Sequence, residues 1–233
     1  MGTRLLNNRK YIKPKLSTFV LFLFLLCSNS IVFSQELPEY KNQIKFSPLR
    51  LLNNLNPGLE LGYEREYDKY SSQVSVAYLF DFFPITEYKN YSGHRIMLEQ
   101  KYFIFKRKYV RQYFSLGMGY YSASMIASSL FMPKDIERGD ILYYDSQYED
   151  TFKLKRIGVP IDAKYGIQLL IDRSIIEFSV GFGFIIHNIT HSNRMNPNDK
   201  MVNDHFNVYY MMEKEGKHVM PNLPLTLKLS YAF

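Results

Sequence analysis

From Leu59 onward the chain alternates apolar and polar residues with a period of two, the pattern of a strand with one buried or greasy face. Leu223, Leu225, Leu227, Leu229, Tyr231 and Phe233 alternate with Pro224, Thr226, Lys228, Ser230 and Ala232. Ile176, Phe178, Val180, Phe182 and Phe184 oppose Glu177, Ser179, Gly181 and Gly183. The same rhythm sets Ile157, Val159, Ile161, Ala163, Tyr165 and Ile167 against Arg156, Asp162 and Lys164, and Phe114, Leu116, Met118 and Tyr120 against Ser115, Gly117 and Gly119. Val74, Val76, Tyr78 and Phe80, and before them Leu59, Leu61 and Tyr63, complete six clear strands. Two more are less regular. Around Gly93 to Phe105, Gln100 interrupts a face carrying Ile96, Leu98 and Tyr102; around Gln43 to Leu52 the phase changes at Ser47-Pro48, as at a bulge or a strand end. Counting both predicts eight strands.

The connections predict how these strands close. Short ones at 68–71, 106–111 and 172–173 alternate with longer ones at 81–92, 122–153 and 188–222, after an opening link at 53–57. That asymmetry belongs to an all-β, eight-stranded antiparallel up-and-down transmembrane β-barrel, with short periplasmic turns and long extracellular loops. A soluble barrel or sandwich is the competing fold. Against it, the apolar face is nearly unbroken, the opposite face is charged, and aromatic residues crowd both strand ends. Tyr67, Tyr70, Tyr102, Tyr109, Tyr113, Tyr165 and Tyr231 fall by the short turns, and Phe80, Phe82, Phe83, Tyr120 and Tyr121 by the long loops, as membrane interfaces favour.

Composition at first points elsewhere. The 233 residues carry a net charge of +7, which would suggest an anionic partner. Residues 1–34, however, hold Arg4, Arg9, Lys10, Lys13 and Lys15 and no acid, leaving a charge of about +2 for the remainder. Those residues run basic, then apolar (Leu16 to Cys27), then small and polar, the order of a cleaved secretory signal whose removal after Ser34 leaves Gln35 first. Cys27 goes with it, so disulfides, Cys-ligated zinc and thiol catalysis are excluded for the mature chain. Aromatics at 16% with a mean hydropathy of −0.23 require fine interleaving of apolar and polar residues, as the alternation supplies.

If the apolar faces point outward, the lumen receives Glu60, Glu64, Glu66, Glu99, Asp162 and Glu177 together with Arg95, Lys101, Arg156, Lys164 and Lys228. Eight strands enclose little more than side chains, so these charges must pair, and a closed ion-paired lumen is expected. A narrow solute channel is the alternative; a ring of one charge sign would have favoured it, and the chain supplies none.

The run Ile44-Lys45-Phe46-Ser47-Pro48-Leu49, followed by Gly58-Leu59-Glu60-Leu61-Gly62-Tyr63-Glu64-Arg65, resembles the opening of small outer-membrane barrel families of Gram-negative bacteria, OmpA-like or OmpX-like in architecture. The last strand, ending Tyr231-Ala232-Phe233, is similar to the terminal signature that barrel-assembly machinery reads. The resemblance implies residence in the cell outer membrane, amid lipid bilayer and lipopolysaccharide. It implies a structural or surface-interaction role for the loops, and no mechanism.

Candidate chemistry gathers at His187, Thr190, His191, Ser192, Asn193, Pro197, Asn198 and Asp204, which resemble the motif of the lipid A 3-O-deacylases, eight-stranded outer-membrane esterases. That likeness implies an esterase using His191, Ser192 and Asp204. Two departures weigh against it: His191 and Ser192 are adjacent, so an extended backbone sends them to opposite faces, and Asp204 stands in for that family's Glu. No catalytic residue is therefore assigned. Of His187, His191, His205 and His218, the first two are four apart, a chelating pair only on a helix, and no second Asp/Glu/His pair has zinc-site spacing, so neither metal nor cofactor is expected. The basic run Lys106-Arg107-Lys108 with Arg111 is a solvated turn or meets anionic headgroups. No phosphate loop occurs, and the near-neutral mature charge makes no case for nucleic acid.

Overall fold

The computed structural model describes residues 41–53, 56–81, 88–136, 145–202 and 208–233, the side chains of 208–210 excepted. The leader expected over residues 1–34 lies outside them, as do Phe82 and Phe83. Ten strands follow in order: β1 (Asn42–Phe46), β2 (Gly58–Tyr67), β3 (Tyr70–Phe80), β4 (Lys89–Lys106), β5 (Val110–Met132), β6 (Tyr148–Ile171), β7 (Ser174–Ser192), β8 (Lys200–Met201), β9 (Gly216–Asn222) and β10 (Leu225–Ala232). Each of β1 to β6 pairs antiparallel with the next, and β10 pairs with both β7 and β1. The result is a closed ring of eight strands. The fold is thus an all-β antiparallel up-and-down barrel with no free edge along the ring. β9 continues the line of β10 along β7, interrupted at Leu223-Pro224, and the two-residue β8 adds to the end of β5. No helix among the described residues is long and apolar enough to cross a membrane.

The hairpins turn where the sequence permits it. Asp68 and Asp172 take left-handed φ values of 49° and 52°, which a short polar side chain tolerates, and each opens a two-residue turn. β1 ends at Phe46 because Pro48 brings no N–H to a ladder; the chain enters a 3-10 helix, Pro48–Leu52, instead. Its Arg50 reaches Glu60 at 3.2 Å inside the ring. The Ser47-Pro48 phase change is therefore a strand end, not a bulge.

The long strands depart most from expectation. β5 and β6 have 23 and 24 residues, against 10 and 11 in β2 and β3. Residues 122–132 and 148–153, taken from sequence as loop, are strand, and the connection between them contracts to 133–147. Residues 188–192 and 216–222 likewise extend the wall. The cause is a swap of faces. Up to Tyr120 the outward positions of β5 are apolar; beyond it Ser122, Ser124 and Ser128 enter that face, which still carries Ile126 and the exposed Leu130, while Ala123, Met125, Ala127 and Phe131 turn inward. β6 swaps between Ile157 and Lys155, and β7 between Ile186 and Asn188. The register pairs Ile157 with Ser122 on one side and Asn188 on the other, so the three swaps lie at one level around the wall.

Below that level the barrel is inside-out, with Leu116, Val76, Phe182 and Leu98 exposed by 70%, 54%, 63% and 55% and charges buried within. Above it the barrel encloses an ordinary apolar core of Met125, Phe131, Phe152, Leu154 and Ile189, each fully or almost fully buried and worth about 1.5–3 kcal/mol. Gln100 does face outward amid the apolar band, where its Oε1 accepts a hydrogen bond from Ser72 Oγ at 2.7 Å.

Candidate functional site

The lumen is the most chemically distinctive part of the molecule. Strand alternation sends Lys45, Glu64, Glu99, Lys101, Glu177 and Lys228 inward from β1, β2, β4, β7 and β10, and ring closure brings them together, all at most 5% exposed. Lys101 Nζ donates to Glu64 Oε2 at 2.7 Å and to Glu177 Oε1 and Oε2 at 2.8 and 2.7 Å. Lys45 bridges the same two carboxylates, lying 2.7 Å from Glu64. Glu177 also accepts from Tyr113 Oη at 2.8 Å and Gln168 Nε2 at 2.7 Å. Glu99 accepts from Lys164 at 2.8 Å, Lys228 at 3.0 Å and Ser115 at 2.7 Å. Lys228 donates further to Gln73 Oε1 at 3.1 Å. Alternating signs and the many ammonium donors on Glu177 and Glu99 let charge survive in so little water, although Glu64 Oε1 has no hydrogen-bond partner.

Every lumen residue expected from sequence faces inward, with Glu66 and Arg95 only half-buried. Arg95 keeps a buried Nε without a hydrogen-bond partner. Lys45, Arg50, Arg111, Gln73 and Gln168 were missed; Lys45 was legible as the residue between Ile44 and Phe46, two outward neighbours on β1. Tyr113 and Tyr121 correct the aromatic assignment. Instead of standing at a membrane interface they turn inward, each lying over a glycine of the next strand, with Gly166 beneath Tyr113 and Gly158 beneath Tyr121. A Cβ on either glycine would come 2.3 Å from the ring. Tyr67, Tyr70, Tyr102, Tyr109 and Tyr231 do face outward.

At the long-loop end the short helix Val208–Glu213 is fastened to the inner wall. Arg156 Nε donates to the Met212 carbonyl at 3.1 Å, Ser129 Oγ donates to Glu213 Oε2 at 2.6 Å, and His191 Nε2 donates to the Glu213 carbonyl at 2.6 Å. Met212 is buried. Burial raises the Tyr88 phenol above its ordinary value although the Arg156 guanidinium beside it pulls the other way. The segment 193–202 also folds back. Arg194 lies 4.2 Å from the Phe131 ring centroid, Tyr148 Oη donates to Asp199 Oδ2 at 2.7 Å, and the Met195 N–H donates to Asp150 Oδ2 at 2.9 Å.

The candidate esterase group does not assemble here. His191 tucks inward, its ring 4.4 Å from that of Phe152, while Ser192 is exposed and its Oγ donates to the Lys153 carbonyl at 3.4 Å. With Nε2 donating to a carbonyl, the imidazole's remaining acceptor is Nδ1, which is buried without a partner. Burial pushes this imidazole below the ordinary histidine range. Asp204 lies outside the described residues, as does His205. His187 pairs with Tyr121 Oη at 2.9 Å and sits opposite His218 across β7 and β9. Among the described residues no three His, Cys, Asp or Glu side chains group as metal ligands.

Fold and lumen together define a closed eight-stranded barrel with an apolar outer band, an ion-paired interior and an apolar cap at one end. No protein-family model matches the chain, and no curated protein matches it. Among solved structures it is similar to the crystal structure of a major outer membrane protein from Thermus thermophilus, at 10% sequence identity. That match covers 83% of this chain and 98% of the other, with a TM-score of 0.31.

Proposed function

We propose that this chain is an outer-membrane β-barrel protein of a Gram-negative bacterium, with a closed lumen and a structural or surface-interaction role carried by its long-loop end. The observation that carries the reading is the level at which the faces swap. Outward side chains are apolar below Tyr120, Ile157 and Ile186 and polar immediately above, as they would be where hydrocarbon gives way to water. A soluble barrel has no reason to reverse its faces at one height. β5 and β6, at roughly 3.3 Å per residue, far outreach an apolar band ~25 Å tall, so their upper halves stand in the extracellular medium as a walled tower. In this orientation the short turns are periplasmic, lipopolysaccharide surrounds the base of the tower, and β10 with Tyr231 and the following Phe233 is the contact for barrel-assembly machinery.

The ion-pair network filling the lumen below and the apolar cap above favour a closed lumen over a narrow solute channel. The placement of His191 and Ser192 on opposite faces disfavours a lipid A esterase. The test is gel migration of the outer-membrane fraction with and without boiling. A folded barrel shifts on heating; the absence of a shift, or recovery in the soluble periplasm, overturns the reading.

A further inference from the structure

Charge inside the ring does not balance at every height. In the lower network Lys45, Lys101, Lys164 and Lys228 meet as many carboxylates, Asp162 completing the set beside Lys164 at 3.4 Å. Above them Arg50, Arg95 and Arg156 turn inward, and among the described residues the further carboxylates there are Glu60 and Glu213. Glu60 is engaged by Arg50 at 3.2 Å and by Ser47 Oγ at 3.2 Å. Glu213 accepts from Ser129. Asp162 also lies in electrostatic reach of Arg95, but it belongs to the balanced set below. One guanidinium is therefore left without a carboxylate of its own.

The register gathers that surplus in one place. Glu60, Ala77, Arg95, Tyr121, Gly158 and His187 form one row of Cα partners from β2 to β7. Arg156 is the next inward residue above Gly158, so Tyr121, whose ring covers that glycine, stands beside both Arg95 and Arg156. Both guanidiniums act on its hydroxyl. Arg156 is fully buried; its Nε donates to the Met212 carbonyl and its Nη2 lies 3.4 Å from Tyr88 Oη, but its Nη1 has no hydrogen-bond partner. Arg95 Nε is likewise buried without a partner, while its side chain as a whole is only half-buried, so free volume adjoins it inside the ring. Ala77, between Glu60 and Arg95 in the row, brings no more than a methyl group. A buried charged donor without an acceptor is costly. An oxyanion accepting from both arginines satisfies both donors and cancels the surplus charge. We propose that the upper lumen encloses a small oxyanion of the phosphate or sulfate class, held by Arg95 and Arg156. The inference rests on the closed lumen proposed above, which bilayer conductance tests separately.

The experiment refolds the full chain from urea into phosphatidylcholine vesicles, in phosphate or in chloride at equal ionic strength, so that an anion can be enclosed as the barrel closes. The readout is the temperature at which half the protein has lost its folded gel migration. Wild type is expected to unfold several degrees higher in phosphate than in chloride, because a ligand held by the folded state alone stabilises it. Arg95→Met, which removes a buried unpaired charge, should match or exceed wild type in chloride and gain nothing from phosphate. The exposed Lys155→Met should follow wild type in both salts. Equal midpoints for wild type in the two salts overturn the proposal, as does a phosphate effect that survives Arg95→Met. A loss of stability in Arg95→Met of the same size in both salts also overturns it, since Arg95 is then paired within the chain.

Discussion

Lys101 and Glu64 stand 2.7 Å apart with neither side chain exposed, joining β4 to β2 through the middle of the lumen. Since Lys101 also holds Glu177, it is the brace on which two buried carboxylates depend. Lys101→Met should therefore lower stability by about 3–5 kcal/mol, the cost of leaving buried charge uncompensated. Urea unfolding in lipid vesicles measures it, with the exposed Lys155→Met as a control expected within about 0.5 kcal/mol of wild type. Equal midpoints for the two variants would contradict the bracing role.

Tyr121 covers Gly158 so closely that a side chain there has nowhere to go. Gly158→Val is expected to destabilise the barrel by about 1–3 kcal/mol through overpacking. Adding Tyr121→Ala should recover part of that loss, because the second change removes the obstructing ring. Purely additive effects in this double-mutant cycle would show that the two residues do not touch.

The helix Val208–Glu213 should loosen in mild acid. Burial holds the His191 imidazole below its ordinary value, so the native state binds fewer protons than the unfolded chain once pH drops below about 6.5. Stability contributed by neutral His191 is complete above that pH and is lost as pH falls toward the folded value. Hydrogen exchange of amides 208–213 should accelerate from pH 7.5 to pH 5 more than intrinsic exchange chemistry allows. His191→Gln, which keeps a donor for the Glu213 carbonyl but does not titrate, should flatten the profile.

Two functional outcomes follow from the closed, non-catalytic reading. Purified protein in planar bilayers is expected to give no large, stable conductance; steady ion-selective steps would restore the channel. Expression is expected to leave the acyl count of lipid A unchanged, and Ser192→Ala to make no difference. Loss of an acyl chain that depends on Ser192 would restore the esterase.

Much of the barrel is legible in the alternation alone. The residues around Phe182 and Leu227 assign inner and outer faces, and Asp68 and Asp172 sit where the tight turns form. What escaped was the extent of the tall strands. Beyond Tyr120 Ala123, Met125, Ala127 and Phe131 carry the inward apolar face at odd positions, and Ser122, Ser124 and Ser128 among Ile126 and Leu130 then look like a polar loop unless that shift is read as a change of surroundings. The candidate site divides the same way. Charges expected in the lumen from clear strands were found there, whereas Lys45 and Arg50 were missed because β1 is only five residues long and ends at a proline.

By itself, then, the sequence determined the local periodicity: which residues share a face, where hairpins turn, and that an interior rich in both charge signs lies behind an apolar exterior. A period of two is a property of consecutive residues and needs no partner strand. Only the tertiary structure decided which charge meets which. Lys228 reaches Gln73 across 155 positions of sequence, and Lys101 reaches Glu177 across 76. Those encounters depend on ring closure and on the register of each strand against its neighbours, which set side chains from distant segments at one height. The same registers aligned the three face swaps into a single level, and so turned separate phase shifts into one line around the wall where the outward face changes from apolar to polar.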